Sequence, residues 1–284
     1  MQTELFKEGH QPPAKKSKTA PKKKAVKTVS KAAPVAKSAG GSYSAKDIEV
    51  LEGLEPVRRR PGMYIGGTDE RSLHHLAAEI LDNSMDEAVS GHASYIHIEL
   101  LPDRSLTISD NGRGIPTDPH PKFKDKSALE VILTTLHSGG KFSGEAYETS
   151  GGLHGVGLSV VNALADRLTV EVARDQNMWR QTYQRGVPDG PLKDAGAVRN
   201  RRGTTVNFHP DAKIFGPHNL FKPAMLYRMA RSKAYLFRGV EIRWTCHAKL
   251  LVDGDDTPVK DTLHFPGGLT DYLVSVLDER KTIT

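Results

Sequence analysis

Three polar clusters follow one another along the chain and carry residue types that do chemistry together: Glu79-Ile-Leu-Asp-Asn83, Asp110-Asn-Gly-Arg-Gly114 and Gly151-Gly-Leu-His-Gly-Val-Gly157. Glu79 and Asn83 are four apart, which on a helix places their side chains on one face, about 5–6 Å from each other. A carboxylate there can orient a water for in-line attack. The Asn amide oxygen can ligate Mg²⁺, which keeps several waters and takes its other ligands from phosphate oxygens. Asp110 accepts hydrogen bonds and donates none, so it complements the exocyclic amine of adenine and disfavours the carbonyl that guanine presents instead. Gly112 and Gly114 permit φ > 0 and close approach of a ligand to backbone. Gly151–Gly157 leads straight into the apolar run Leu158–Ala165, and amides at a helix start attract anions, at about 0.3–1 kcal/mol per interaction and up to about 2 when partly buried. That is too little to fix a nucleoside triphosphate alone, so metal and lid contacts must supply the rest. Taken singly, the first two clusters read better as a solvated acidic helix face and an ordinary Asp-Asn-Gly turn, and His154 in the third reads as structural rather than catalytic. Together they describe a nucleotide pocket. Neither Gly-x-Gly-x-x-Gly nor a P-loop is present, since Gly139-Gly-Lys-Phe142 lacks the upstream glycine and the Ser/Thr.

The elements that must position these residues are legible from periodicity. From Ser72 to Val89 apolar residues recur at i, i+3, i+4 and i+7 (Leu73, Leu76, Ala77, Ile80, Leu81, Met85, Ala88, Val89), a half-buried helix with Glu79, Asn83, Asp86 and Glu87 on its other face. Residues 94–101 alternate, and after Pro102–Ser105 a second alternation reaches Asp110, which predicts a β-hairpin. Further strands are expected at Leu168–Ala173, Trp179–Tyr183 and Thr204–Phe208. Helices interspersed with an antiparallel or mixed sheet predict an α/β sandwich. Residues 117–150 are rich in Pro, Lys, Gly and Ser apart from an apolar helical run at Ala128–Leu136. A long glycine-bearing loop beside a site has the composition of a lid, with Gly139, Gly140 and Gly144 as hinges, although a plain surface loop fits the same residues.

The chain has 284 residues, 37% of them hydrophobic, enough for a substantial core in one large or two medium domains. Its net charge of +6 is unevenly placed. Residues 1–42 hold ten lysines, no arginine and two glutamates, or +8, which leaves −2 for the remainder. This Lys/Ala/Pro-rich tail is expected to be disordered. It can condense on nucleic acid through counterion release, or serve only as a solubilising extension. The single cysteine, Cys246, excludes an intrachain disulfide. No apolar run reaches the roughly 18 residues of a membrane span, and the basic start has no secretory h-region, so no membrane association and a cytoplasmic location are expected.

The clusters resemble the Bergerat-fold (GHKL) ATPases shared by type II topoisomerases, Hsp90-type chaperones, MutL-type repair proteins and sensor histidine kinases. Leu54-Glu-Pro-Val-Arg-Arg-Arg-Pro-Gly-Met-Tyr64, Leu136-His-Ser-Gly-Gly-Lys-Phe142 and Ser150–Gly157 narrow the resemblance to the B subunits of bacterial type IIA topoisomerases, over residues from about 43 onward. Leu54–Arg60 and Gly91-His-Ala93 are more similar to the topoisomerase IV branch than to the gyrase branch. The resemblance implies a two-layer α/β (α+β) sandwich with a mixed sheet and helices on one face. It also implies an ATP-binding domain over residues 43–209, and a second, transducer domain beginning at 210 and cut short at 284. In that second domain a helix is expected over Leu220–Phe237, a strand over Val240–Thr245 and a helix near Leu269–Leu277.

By the same resemblance Glu79 is the general base, Asn83 the Mg²⁺ ligand and Asp110 the adenine reader, with Asp86 on the nucleotide-facing side of the helix. Gly112, Arg113, Gly114, Ile115 and Pro116 form the pocket floor. Lys141, Gly152, Leu153, His154, Gly155, Val156 and Gly157 meet phosphates, and Thr204 helps Asp110 hold adenine through water. Tyr43–Ile48 resembles an arm that crosses to a second copy of the chain, with Tyr43 touching its nucleotide. The implied ligands are ATP and Mg²⁺, and the implied partners are DNA, that second copy and the DNA-cleaving protein of the topoisomerase, its A-type component. The sequence holds no counterpart of the later Gln-x-Lys loop or of the metal-binding domain that assists DNA cleavage. Two readings therefore stand side by side: a topoisomerase ATPase, and a nucleotide-gated dimerisation module without significant turnover.

Overall fold

A computed structural model describes residues 45–140, 155–252 and 254–279 of the chain. The chain divides into two units, residues 1–49 and 50–284. The first is described only at residues 45–49, where Ala45–Asp47 form a 3₁₀ turn.

The second unit opens with two short helices, α1 (Glu55–Arg59) and α2 (Gly62–Ile65), then a long one, α3 (Glu70–Val89). Asp69 starts α3 as its N-cap, its carboxylate accepting from Ser72 N at 2.9 Å. The apolar stripe read from the sequence is buried from Leu73 to Met85, where Leu73, Leu76, Ala77, Ile80, Leu81 and Met85 are all at most 2% exposed, while Val89 at its end is 40% exposed. The hairpin follows as β1 (Tyr95–Leu100) and β2 (Leu106–Asp110), paired with Ile98 opposite Ile108, inward residues alternating with half-exposed ones. Next come α4 (Ala128–Thr134), capped by Ser127, and α5 (Gly157–Leu164). The chain then runs through β3 (Ala165–Arg174), β4 (Asn177–Gln184), β5 (Val187–Pro188), β6 (Lys193–Ala197) and β7 (Gly203–Pro210). It finishes with α6 (Ala212–Phe215), α7 (Pro223–Leu236), β8 (Glu241–Cys246), β9 (Lys260–His264) and α8 (Leu269–Glu279).

The strands join in one sheet in the order β5-β4-β3-β7-β2-β1-β8-β9, with β6 also on β4. Among the described residues every strand pairing is antiparallel except β1 with β8, so the sheet is mixed, as expected. Helices α3, α5 and α7 pack on the sheet while α3 also touches both of the others, which places the three on one face. The core lies between these layers around Tyr183, Phe208, Phe221 and Trp244.

Beyond residue 210, β8 and β9 extend this sheet. Ile242, Trp244 and Cys246 turn inward in register with Ile96, Ile98 and Leu100. Within the expected lid segment, residues 117–140 include α4 and a bridge between Pro119 and Ser127. Residues 141–150 lie outside the described residues.

Candidate nucleotide site

A cavity of about 470 Å³ opens between α3, the end of β2 and the start of α5, a size within the range of small-molecule sites. Its wall includes Glu79, Asp82, Asn83 and Glu87 from α3, Asp110 from β2, and Arg113, Gly114, Ile115 and Pro116 beyond it. Ser138, Gly139 and Gly140, then Gly155, Val156, Gly157 and Leu158, close the other end, while Arg174 and Thr204 stand at the ends of β3 and β7.

At the inner end, Asp110 is 8% exposed. Its Oδ1 accepts from Gly112 N at 2.8 Å and Thr204 N at 3.4 Å, and its Oδ2 accepts from Ser84 Oγ at 3.3 Å. Burial pushes its carboxyl up to about 6 against the pull of the Gly112 and Thr204 amides, and the nearby Glu87 carboxylate adds to the rise. Two close approaches build this corner. A Cβ on Gly203 would stand 2.0 Å from Asp110 O, and one on Gly112 would meet Glu87 Oε2 at 2.7 Å and Asp110 Oδ1 at 2.9 Å.

The turn after Asp110 is clamped from α3. Glu87 Oε2 accepts from the backbone N of Arg113 at 2.9 Å and from its Nε at 3.2 Å, while Oε1 takes Nη2 at 2.8 Å. Thr204 Oγ1 accepts from Ile115 N at 3.2 Å, and Arg174 Nη1 donates to Gly114 O at 2.9 Å. The floor is thus held by side chains from three distant segments.

Toward the other end, the Glu79 carboxylate lies against the start of α5: a Cβ on Gly157 would come within 2.2 Å of Glu79 Oε2. Helix α5 has no side-chain N-cap, and its first backbone bond closes at Val160 N to Val156 O, which leaves the earlier N–H groups without intrahelical acceptors. Ser138 N donates to Gly155 O at 3.1 Å, tying the two glycine segments together. Asn83, on the cavity wall, donates Nδ2 to Glu79 O at 2.8 Å, which fixes its amide. Among the described residues no group of three or more His, Cys, Asp or Glu forms a metal cluster. One amide oxygen suits Mg²⁺ completed by water and phosphate oxygens better than a protein-caged ion.

Of the residues singled out from sequence, Glu79, Asn83, Asp110, Arg113, Gly114, Ile115, Pro116, Gly155, Val156, Gly157 and Thr204 line this one cavity. Asp86 does not: it is 4% exposed, buried off the cavity wall. Gly112 also stays off the wall and serves to donate to Asp110. Tyr43, Lys141, Gly152, Leu153 and His154 lie outside the described residues. Sequence reasoning missed Arg174, Ser84 and Asp82 as wall residues and Glu87 as the clamp of the turn.

The molecule is therefore an α/β sandwich in which one cavity joins an acidic helix face, a buried acceptor and an open helix N-terminus. The chain belongs to the family of histidine kinase-, DNA gyrase B- and HSP90-like ATPases, whose profile matches residues 68–214. It is 61% identical to the B subunit of DNA topoisomerase 4 from Caulobacter vibrioides over 247 residues, and 58% identical to its counterpart from Bartonella bacilliformis over 243. These alignments cover 87% and 86% of this chain and 35% of each relative. The B subunit of DNA gyrase from Thermotoga maritima is 48% identical over 81% of this chain and 35% of its own length. The chain thus spans about a third of the length of these curated relatives. Among solved structures, the 43K ATPase domain of Thermus thermophilus gyrase B, in complex with an aminocoumarin, superposes with a TM-score of 0.69 at 38% identity, covering 81% of this chain and 56% of that one.

Proposed function

We propose that the chain is the ATP-binding and ATP-hydrolysing part of the B subunit of a type II DNA topoisomerase of the topoisomerase IV kind. The observation that carries the reading is the single cavity touching Glu79, Asp110 and the start of α5. Asp110 accepts the adenine amine, with Thr204 beside it, and the Arg113–Pro116 floor supports the base and sugar. The open amides of α5 face the phosphates, where the helix dipole favours negative charge. Glu79, held against Gly157 at that end, orients the attacking water and takes its proton. Mg²⁺, when bound, neutralises phosphate charge and aligns the oxygens, and Asn83 Oδ1 would hold it. Lys141 and Gly152–His154 would add phosphate contacts, and Tyr43 would reach the nucleotide of a second copy. Closure of that dimer around DNA, beside the cleavage protein, is the gate that the nucleotide controls.

The test is calorimetric titration of ATP against GTP with and without Mg²⁺, paired with phosphate release by wild type and Glu79→Gln. ATP binding that depends on Mg²⁺ and exceeds GTP binding, with turnover lowered about 10²–10⁴-fold in the variant, is expected. Wild-type turnover in Glu79→Gln would remove the base from its role. Dimerisation on a non-hydrolysable ATP analogue without any phosphate release by wild type would select the gating module over the ATPase.

A further inference from the structure

Four carboxylates line the cavity: Glu79, Asp82 and Glu87 on α3, and Asp110. A wall this acidic repels a polyanion unless its charges are answered by other groups. Arg113 answers Glu87 through two side-chain hydrogen bonds, and Asp110 sits among backbone donors. Glu79 is the base in the reading above. Asp82 is answered from outside all three motif clusters and outside the family-matched segment: Lys233 Nζ, on α7, lies 2.5 Å from Asp82 Oδ1. Their side chains are 27% and 29% exposed, so neither charge is fully screened by water.

We propose that Lys233 is a positioning residue that holds and neutralises Asp82, so that the α3 wall of the cavity admits a triphosphate. The inference rests on the nucleotide reading. A partly exposed ion pair contributes little to stability. Its field, however, reaches a ligand within roughly a Debye length, about 10 Å at 0.1 M salt. Removing the lysine charge leaves Asp82 as one net negative charge on the wall beside Glu79 and Asn83. The penalty falls on binding of the anion, shrinks with salt and disappears when Asp82 is neutralised as well.

Four proteins decide it: wild type, Lys233→Met, Asp82→Asn and the double variant, each titrated with ATP and Mg²⁺ by calorimetry at low and high salt. The methionine keeps an unbranched stem of similar length without the charge. Lys233→Met is expected to raise Kd about tenfold at low salt, less at high salt, and the double variant to return within about twofold of wild type. Lys233→Arg, which keeps the charge, stays near wild type. A wild-type Kd in Lys233→Met, or a double variant as weak as the single one, overturns the proposal. A merely structural role would lower the melting temperature of Lys233→Met with no rescue and no salt dependence. Failure of the wild-type chain to bind ATP would instead overturn the nucleotide reading beneath it.

Discussion

Asp110→Asn should make the protein more stable and worse at its task. The carboxyl is buried and its ionised form is disfavoured there, with its pKa pushed from 3.8 to about 6. At about 1.4 kcal/mol per pH unit, holding it ionised costs the native state about 3 kcal/mol at neutral pH. Because the folded-state pKa is the higher one, the native state binds the proton more tightly than the unfolded chain. The group is therefore harmless below 3.8, and its cost grows as pH rises and is complete above about 6. Asparagine fits the same bonds: its Oδ1 accepts from Gly112 N and Thr204 N, and its Nδ2 donates to Ser84 Oγ, whose hydroxyl turns to accept. Urea midpoints should accordingly show Asp110→Asn more stable than wild type by up to about 3 kcal/mol at pH 8, with the difference vanishing toward pH 4. Nucleotide titration should show the reverse, a loss of about 10–100-fold in ATP affinity, since an amide donor would face the adenine amine, also a donor. A variant less stable than wild type at pH 8, or a stability difference independent of pH, refutes the argument.

Two glycines should separate fold from function. Gly203→Ala, at φ +105 with its Cβ driven to 2.0 Å from a backbone oxygen, should lower stability by on the order of 4 kcal/mol or more, read as a collapsed urea midpoint. Gly157→Ala meets a movable carboxylate instead, so its far-UV spectrum should match wild type while ATP turnover falls with the displaced Glu79. His74 bridges α3 and the start of α7, its Nδ1 bonded to Glu70 O at 2.7 Å and its Nε2 accepting from Lys222 N at 3.0 Å. Burial lowers its pKa below 6.5, so the unfolded chain takes up the proton first and stability should fall as pH drops below about 6.5. The urea midpoint of His74→Asn should be lower overall and lose this acid slope.

The sequence announced what depends on local pattern. Helix α3 and the β1–β2 hairpin followed from apolar periods of 3.6 and 2, and each of the three clusters contributes described residues to the cavity wall. What it hid depends on long-range pairing. Arg174 reaches Gly114 because β3 lies beside β7, and nothing near position 174 signals it. Asp86 and Glu87 share a polar helix face in sequence, yet one is buried off the cavity and the other clamps the turn, since a single residue step rotates a helical side chain by about 100°. The strand expected over Val240–Thr245 pairs with β1, and a partner so distant in sequence leaves no local signal. Strand β6 is exposed at every position and has no apolar alternation to read.

The parallel pairing of β1 with β8 joins residues 146 positions apart, Tyr95 with Glu241. On a ribosome the hairpin emerges long before its neighbour, so one flank of β1 stays unclaimed until the chain has been made past Cys246. Such a distant closure slows folding, and a bare strand edge is a template for other chains meanwhile. A product trimmed to the family-matched stretch, 68–214, would carry all three polar clusters and keep that flank permanently open. The family signature and the foldable unit are different lengths of this polypeptide.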